Sequence, residues 1–170
     1  MTGEKVKIRS FVPEDWESVL AIYREGIATG LATFETAAPS WESWDAGHLN
    51  FARLVAFSSQ NGQMTGWAAL SRVSSRSVYS GVAEVSVYVG KVFRDRGVGG
   101  ALLESLIQES QNNGIWTLQA SVFPENLPSI ALHEKYGFRK IGIRERIAKL
   151  NGVWRDTVLL ERRSQLVGVE

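Results

Sequence analysis

Residues 82–107, VAEVSVYVGKVFRDRGVGGALLESLI, constrain the fold more than any other stretch. Glu84 to Val89 alternates, with Val85, Val87 and Val89 on one face and Glu84, Ser86 and Tyr88 on the other. That is the period of a half-buried strand. Arg94-Asp95-Arg96-Gly97-Val98-Gly99-Gly100 follows as a glycine-rich turn with cations around it. Val98, Leu102, Leu103, Leu106 and Ile107 then recur at helical spacing. A strand, a glycine turn and a helix in that order aim free backbone N–H groups at an anion, because the first turn of a helix has no internal acceptors for them.

The turn is not a dinucleotide fingerprint: counted from Gly97, the sixth position is Leu102 rather than glycine. It is not a P-loop either, since Gly99-Gly100-Ala101 brings no lysine to the helix start. What remains is Arg-x-x-Gly-x-Gly at Arg94, Gly97 and Gly99, five residues after a Val-Tyr-Val strand end. A plain strand–helix turn using glycine for tightness fits the same residues.

The chain in order gives a strand over 5–11, then Pro13 with Glu14 and Asp15 opening a helix that ends near Gly30. An aperiodic connection over 31–39 carries Phe34, and Ser40 caps a second short helix reaching Leu49. Asn61-Gly62 joins the apolar runs 53–59 and 64–73 as a hairpin. A polar loop, 74–81, contains Arg76 and Tyr79. Beyond the central unit, Gly114 closes the helix and 115–122 forms a strand with Trp116, Leu118 and Ala120 on one side. Residues 124–128 read as a loop and 129–136 as a short helix; 138–149 and 153–161 form a hairpin about Asn151-Gly152. Residues 162–170 read as a partly disordered tail. The strands around helix 98–113 must be parallel, whereas the others can pair as hairpins. The expectation is one domain over 1–170 with its core at about 6–161.

Composition narrows the function classes. Nineteen basic against eighteen acidic residues leave a net charge of +1, so no basic stripe argues for nucleic acid. The absence of cysteine removes disulfides, thiolate metal sites and a cysteine nucleophile. With His48 and His133 the only histidines, no zinc site of the usual kind is expected, and no metal. No segment approaches the length of a membrane helix and no apolar leader opens the chain, so the default is a cytoplasmic enzyme or binding domain. The tryptophans, among them Trp16, Trp67 and Trp116, read as core.

The Arg94–Gly100 turn resembles the coenzyme A pyrophosphate loop of the GNAT superfamily of N-acetyltransferases. Asn126-Leu127-Pro128-Ser129 followed by Leu132-His133-Glu134-Lys135-Tyr136-Gly137-Phe138 is similar to that superfamily's second cofactor-binding element. Thr33-Phe34-Glu35-Thr36 and Ala83 to Val89 resemble its phosphinothricin and methionine-sulfoximine acetyltransferase branch. The resemblance implies an α/β (α+β) fold: a mixed, largely antiparallel sheet of about seven strands with a central splayed parallel pair, flanked by about four helices. It implies acetyl-CoA, with pantetheine against the backbone of Val87, Tyr88 and Val89. Pyrophosphate would lie on Arg94, Asp95, Arg96, Gly97, Val98, Gly99 and Gly100, with further contacts from Asn126, Ser129 and Lys135. It also implies a homodimer and a small amine acceptor.

Transfer to an amine needs a proton acceptor, and Glu84 is the candidate base. A backbone N–H near Val87 can face the oxyanion. Many relatives place a tyrosine where this chain has His133, which makes His133 the candidate acid for the leaving thiolate, with Tyr136 and Tyr88 as substitutes. Arg76, with Ser77, Val78 and Tyr79, is placed to clamp a substrate carboxylate, and Phe34 to wall its side-chain pocket. The leading expectation is N-acetylation of a small amino acid or analogue, such as methionine sulfoximine, methionine sulfone or phosphinothricin. A protein N-terminal or lysine acetyltransferase and a non-catalytic acyl-CoA-binding module are the alternatives.

Overall fold

Pairing along the sheet decides where a cavity can form. The structure is a computed structural model and describes residues 5–170. Seven strands make one sheet: β1 (Val6–Ser10), β2 (Leu54–Ser58), β3 (Met64–Arg72), β4 (Val82–Val89), β5 (Thr117–Val122), β6 (Arg139–Leu150) and β7 (Val153–Arg163). Their spatial order is β1-β2-β3-β4-β5-β7-β6, and only β4 and β5 run parallel. Four helices flank the sheet: α1 (Trp16–Ala28), α2 (Trp41–Gly47), α3 (Val98–Asn112) and α4 (Leu127–Lys135). This is the expected mixed sheet with its parallel pair at the centre.

The two faces carry different cores. The helical stripe of α3, with Val98, Leu102, Leu103 and Leu106 almost wholly buried, packs with Ile130 of α4 on Ala83 and Val85 of β4 and Leu118 of β5. On the opposite face, Val19 and Ile22 of α1 meet Trp44 of α2, Val55 of β2 and Trp67 of β3. Alternation along β3 and β4 produces this division, since successive side chains leave a strand on opposite sides. β3 is buried along Met64–Leu70, as a central strand covered on both faces should be.

β4 and β5 pair only at Val82–Thr117, Ala83–Leu118 and Glu84–Gln119. Beyond Glu84 the strands separate, although β4 continues to Val89 and β5 to Val122. The outer neighbours hold each strand through the split: β3 pairs with β4 out to Gly66–Val89, and β7 with β5 out to Val122–Val158. The base of the V is locked at Gly81, whose carbonyl accepts from the N–H groups of both Trp116 and Thr117. A side chain at Gly81 would meet the Trp116 ring at 2.0 Å, so only glycine lets the two strands start this close.

Two boundaries and the burial of one tryptophan differ from the sequence reading. α4 starts at Leu127, not Ser129, because Asn126 caps it by accepting from the Ser129 N–H and Pro128 fits a first turn. The segment read as a tail is tied down: β7 runs to Arg163, whose guanidinium donates to the carbonyls of Ser164 and Val167, while Ser164 donates to Gln111 of α3. Trp44 and Trp67 are core, but Trp154 stands nearly half exposed on the β6–β7 hairpin. No helix among the described residues is long and apolar enough to cross a membrane.

Candidate active site

A cavity of about 400 Å³ fills the split between β4 and β5. Phe34, Glu84, Val87, Tyr88, Asn126, Ser129 and His133, all selected from the sequence, line it together. Glu84 sits at the point where the strands part. Its Oε2 accepts from Gln119 Nε2 at 2.8 Å and Ser121 Oγ at 3.2 Å, both on the facing strand. Oε1 takes no hydrogen bond from a described residue. The carboxylate is therefore aimed by one oxygen and leaves the other for a proton. Phe34 meets Phe123 edge-on at 4.9 Å and walls one side.

The other end of β4 reaches the start of α3. A Cβ on Gly99 would lie 3.6 Å from Val89 and 3.3 Å from Leu132 of α4, so the helix start is packed against strand and helix by glycine. Gly97 is left-handed, with φ +86°, at the N-cap position and contributes no capping side chain. Space above it is open. The first helical bond closes at Ala101 N–H to the Gly97 carbonyl, which leaves the preceding first-turn amides to an external acceptor. Asp95 is also left-handed, with φ +59°, and Arg94 Nε donates to the Val89 carbonyl at 3.3 Å, tying the turn to the strand. Arg96 lies 5.9 Å from the Phe93 ring. Val98 is buried beneath the turn. Open amides, a side-chain-free approach and an unpaired strand edge between turn and cavity suit a diphosphate carried on an extended amide-bearing arm.

Not every expected residue arrives at the site. Arg76 lies 5.5 Å from the Tyr79 ring, and residues 77–79 form a 3-10 turn that does not line the cavity. Val78 is 62% exposed. The carboxylate clamp is thus not formed within the single chain, because this loop turns outward before β4 begins. Lys135 sits 5.8 Å over the Tyr136 ring and is outside the cavity lining.

His133, the expected acid, is 5% exposed, and its Nδ1 lies 2.7 Å from the Ser129 carbonyl. A carbonyl only accepts, so Nδ1 carries the proton. Burial pushes the imidazole below its ordinary range, outweighing that bond. With its Nδ1 proton engaged by the helix backbone, the ring is poorly set to give that proton to a thiolate. Tyr88 is stacked 4.7 Å from Trp67 and set edge-on to Tyr23 at 4.9 Å, and burial pushes its phenol far above the ordinary range. Tyr136 instead packs at the start of α3, its hydroxyl 2.7 Å from where a Gly100 Cβ would stand.

Reasoning from sequence missed three side chains. Gln119 and Ser121 fall on the strand face opposite Trp116, Leu118 and Ala120, so their parity pointed to the Glu84 side. His48 also lines the cavity, and no spacing signal announces it.

A sequence profile of the GNAT acetyltransferase domain matches residues 8–159. The chain belongs to the GNAT acetyltransferase family. The phosphinothricin N-acetyltransferase of Alcaligenes faecalis is 30% identical over 159 residues, covering 91% of this chain and 81% of that protein. The L-methionine sulfoximine/L-methionine sulfone acetyltransferase of Pseudomonas paraeruginosa is 27% identical over 158 residues, covering 91% and 92%. A crystal structure of a GNAT phosphinothricin acetyltransferase from Sinorhizobium meliloti, in complex with acetyl-CoA, superposes with a TM-score of 0.86 at 28% identity. It covers all of this chain and 92% of that one. GNAT acetyltransferases draw their acetyl group from acetyl-CoA, and the uncapped α3 turn leading into the split is the part of this chain that fits it.

Proposed function

We propose that this acetyltransferase N-acetylates the α-amine of a small amino acid or analogue, of the phosphinothricin or methionine sulfoximine kind, by direct attack on acetyl-CoA. Glu84 is the general base. The observation that carries this reading is the Glu84 carboxylate held by Gln119 and Ser121 where the two strands part, the place where a donor arm and an acceptor amine would meet. The substrates named for the two curated relatives support the acceptor class.

Each residue then has a task. The amine must be neutral to attack, and Glu84 takes its proton through the free oxygen or one water. The new N–C bond forms as the C–S bond breaks; coenzyme A leaves as its thiolate and takes a proton from solvent, to which Glu84 passes the proton of the amine. The β4 edge beside Val87, left unpaired by β5, presents backbone N–H toward the oxygen that gains charge. Amides of residues 95–100 hold the diphosphate, with Arg94 and Arg96 beside them. Phe34 and Phe123 bound the acceptor side chain.

The test is incubation with acetyl-CoA and a panel of free amino acids, phosphinothricin, methionine sulfoximine, methionine sulfone and peptides with a free N-terminus, reading free thiol. Turnover of a small amino acid or analogue is expected. A peptide outrunning all of them would move the reading to protein N-terminal acetylation, and no turnover with any member would remove it.

A homodimer belongs to the same reading. Ile143, Val153 and Trp154 are from 47% to 62% exposed along the β6–β7 hairpin, apolar side chains that a second copy would cover. Light scattering at micromolar concentration should give twice the chain mass of 18.8 kDa, and a monomer mass would overturn this part.

A further inference from the structure

The histidine that lacks a sequence signal is held in the cavity from several sides. His48 follows α2 at its C-terminal end. The next residue, Leu49, donates its N–H to the Leu70 carbonyl at 2.8 Å. Arg53 then staples the backbone from outside, donating to the carbonyls of His48 at 3.0 Å and Leu49 at 2.6 Å, with its other arm on Asp45 at 2.5 Å. The ring itself is tilted over Trp44 at 4.3 Å and edge-on to Trp67 at 6.2 Å. Its Nδ1 lies 2.6 Å from the Trp44 carbonyl. Because a carbonyl only accepts, Nδ1 holds the proton and Nε2 is a bare acceptor. No described residue donates to Nε2.

The fold places this residue in the same cavity as the candidate base. Leu70 precedes Ser71, and Ser71 stands directly opposite Glu84 in the β3–β4 register. Opposed residues of antiparallel strands lie about 5 Å apart. Trp67, which the His48 ring touches, pairs with Tyr88 on the same face as Glu84. His48, Ser71 and Glu84 all line the one cavity. Burial holds the imidazole below its ordinary range, with a smaller push from the Arg53 guanidinium, against the bond to the Trp44 carbonyl and the nearby Asp45 carboxylate.

We propose that His48 is an amine-binding residue of the acceptor cavity, its Nε2 accepting a hydrogen bond from the substrate nitrogen while Glu84 takes the proton. This rests on the acetyltransferase reading above. The chemistry selects that partner: an α-amino acid with an ionised carboxylate has its nitrogen as the one donor group common to the class. An attacking amine keeps its lone pair for the carbonyl carbon and has two N–H bonds to place. Glu84 and His48 supply the two acceptors.

Two substitutions separate recognition from scaffolding. His48→Asn keeps a donor where Nδ1 meets the Trp44 carbonyl and removes the acceptor at Nε2. His48→Gln keeps an acceptor near Nε2 and loses the tie to Trp44. Initial rates are measured with phosphinothricin or methionine sulfone, whichever turns over faster, alongside melting temperatures. His48→Asn should raise the KM for the amine at least tenfold and leave the KM for acetyl-CoA within twofold, while His48→Gln stays within threefold of the parent on both. An unchanged amine KM in His48→Asn overturns the proposal. So does a tenfold rise in a folded His48→Gln, which decides the matter even if His48→Asn fails to fold. Glu84→Gln run in parallel distinguishes the two claims: its silence would sink the base assignment and leave the His48 result standing.

Discussion

Glu84→Gln should lower kcat by about 10²–10⁴-fold, the usual contribution of a positioned general base, while acetyl-CoA binding by calorimetry stays within twofold. The substitution is close to isosteric. The amide that replaces the carboxylate would still offer an oxygen to Gln119 and Ser121, so the contacts across the β4–β5 base survive. What disappears is the capacity to take a proton. That loss of about 3–5 kcal/mol falls on the barrier, not on the ground state. The variant should recover rate as the pH rises, because alkaline solution supplies the neutral amine that Glu84 otherwise generates. Rates within threefold of the parent across the pH range would show that the proton leaves by another route. A variant that also lost acetyl-CoA binding would show that Glu84 shapes the donor groove instead.

The parts of this site legible in the sequence are those with a period or a turn chemistry of their own. Alternation over 84–89 placed Glu84 and Tyr88 on one face, and α1 and α2 do cover that face. Helical spacing from Val98 and glycine at 97, 99 and 100 marked the anion-facing turn. The split itself was not legible. A parallel pair that stops after three residue pairs leaves no trace in either strand, and it entered only through the family resemblance. His48 was invisible for a related reason. One histidine at the end of a short helix carries no pattern; the Leu49 bond to the Leu70 carbonyl, a contact between distant segments, and the local Arg53 bond to the His48 carbonyl bring it to the cavity. Arg76 failed in the opposite sense. Its residue type suited a carboxylate, but nothing in a polar loop says which way the loop turns. His133 was found by position, but the Ser129 carbonyl that accepts from its Nδ1, four residues back on the helix, has no mark of its own in the sequence.

Trp67→Ala should cost about 3–5 kcal/mol of stability, the range for removing a large buried aromatic, and lower Tm by about 10 °C for a chain of this size. Trp67 is 1% exposed and lies at the centre of the aromatic layer between sheet and α1. Its ring is stacked 4.7 Å from Tyr88 and contacts Tyr23 at 5.7 Å, Trp44 at 5.6 Å and His48 at 6.2 Å. Alanine would leave a void that β3, held by neighbours on both edges, cannot close. Its indole N–H, however, has no partner among the described residues, and a buried unpaired donor works against the fold. Trp67→Phe should therefore stay within about 1 kcal/mol of the parent, since the lost area is offset by removing that donor. The pair separates volume from polarity in one thermal-melt experiment. Because Tyr88 and His48 both lean on this ring, Trp67→Ala should also raise the KM for the amine more than that for acetyl-CoA, whose turn at Gly97 lies on the far side of the sheet with α3. Equal losses in the two KM values would mean that the aromatic layer supports the sheet as a whole and not the acceptor side in particular.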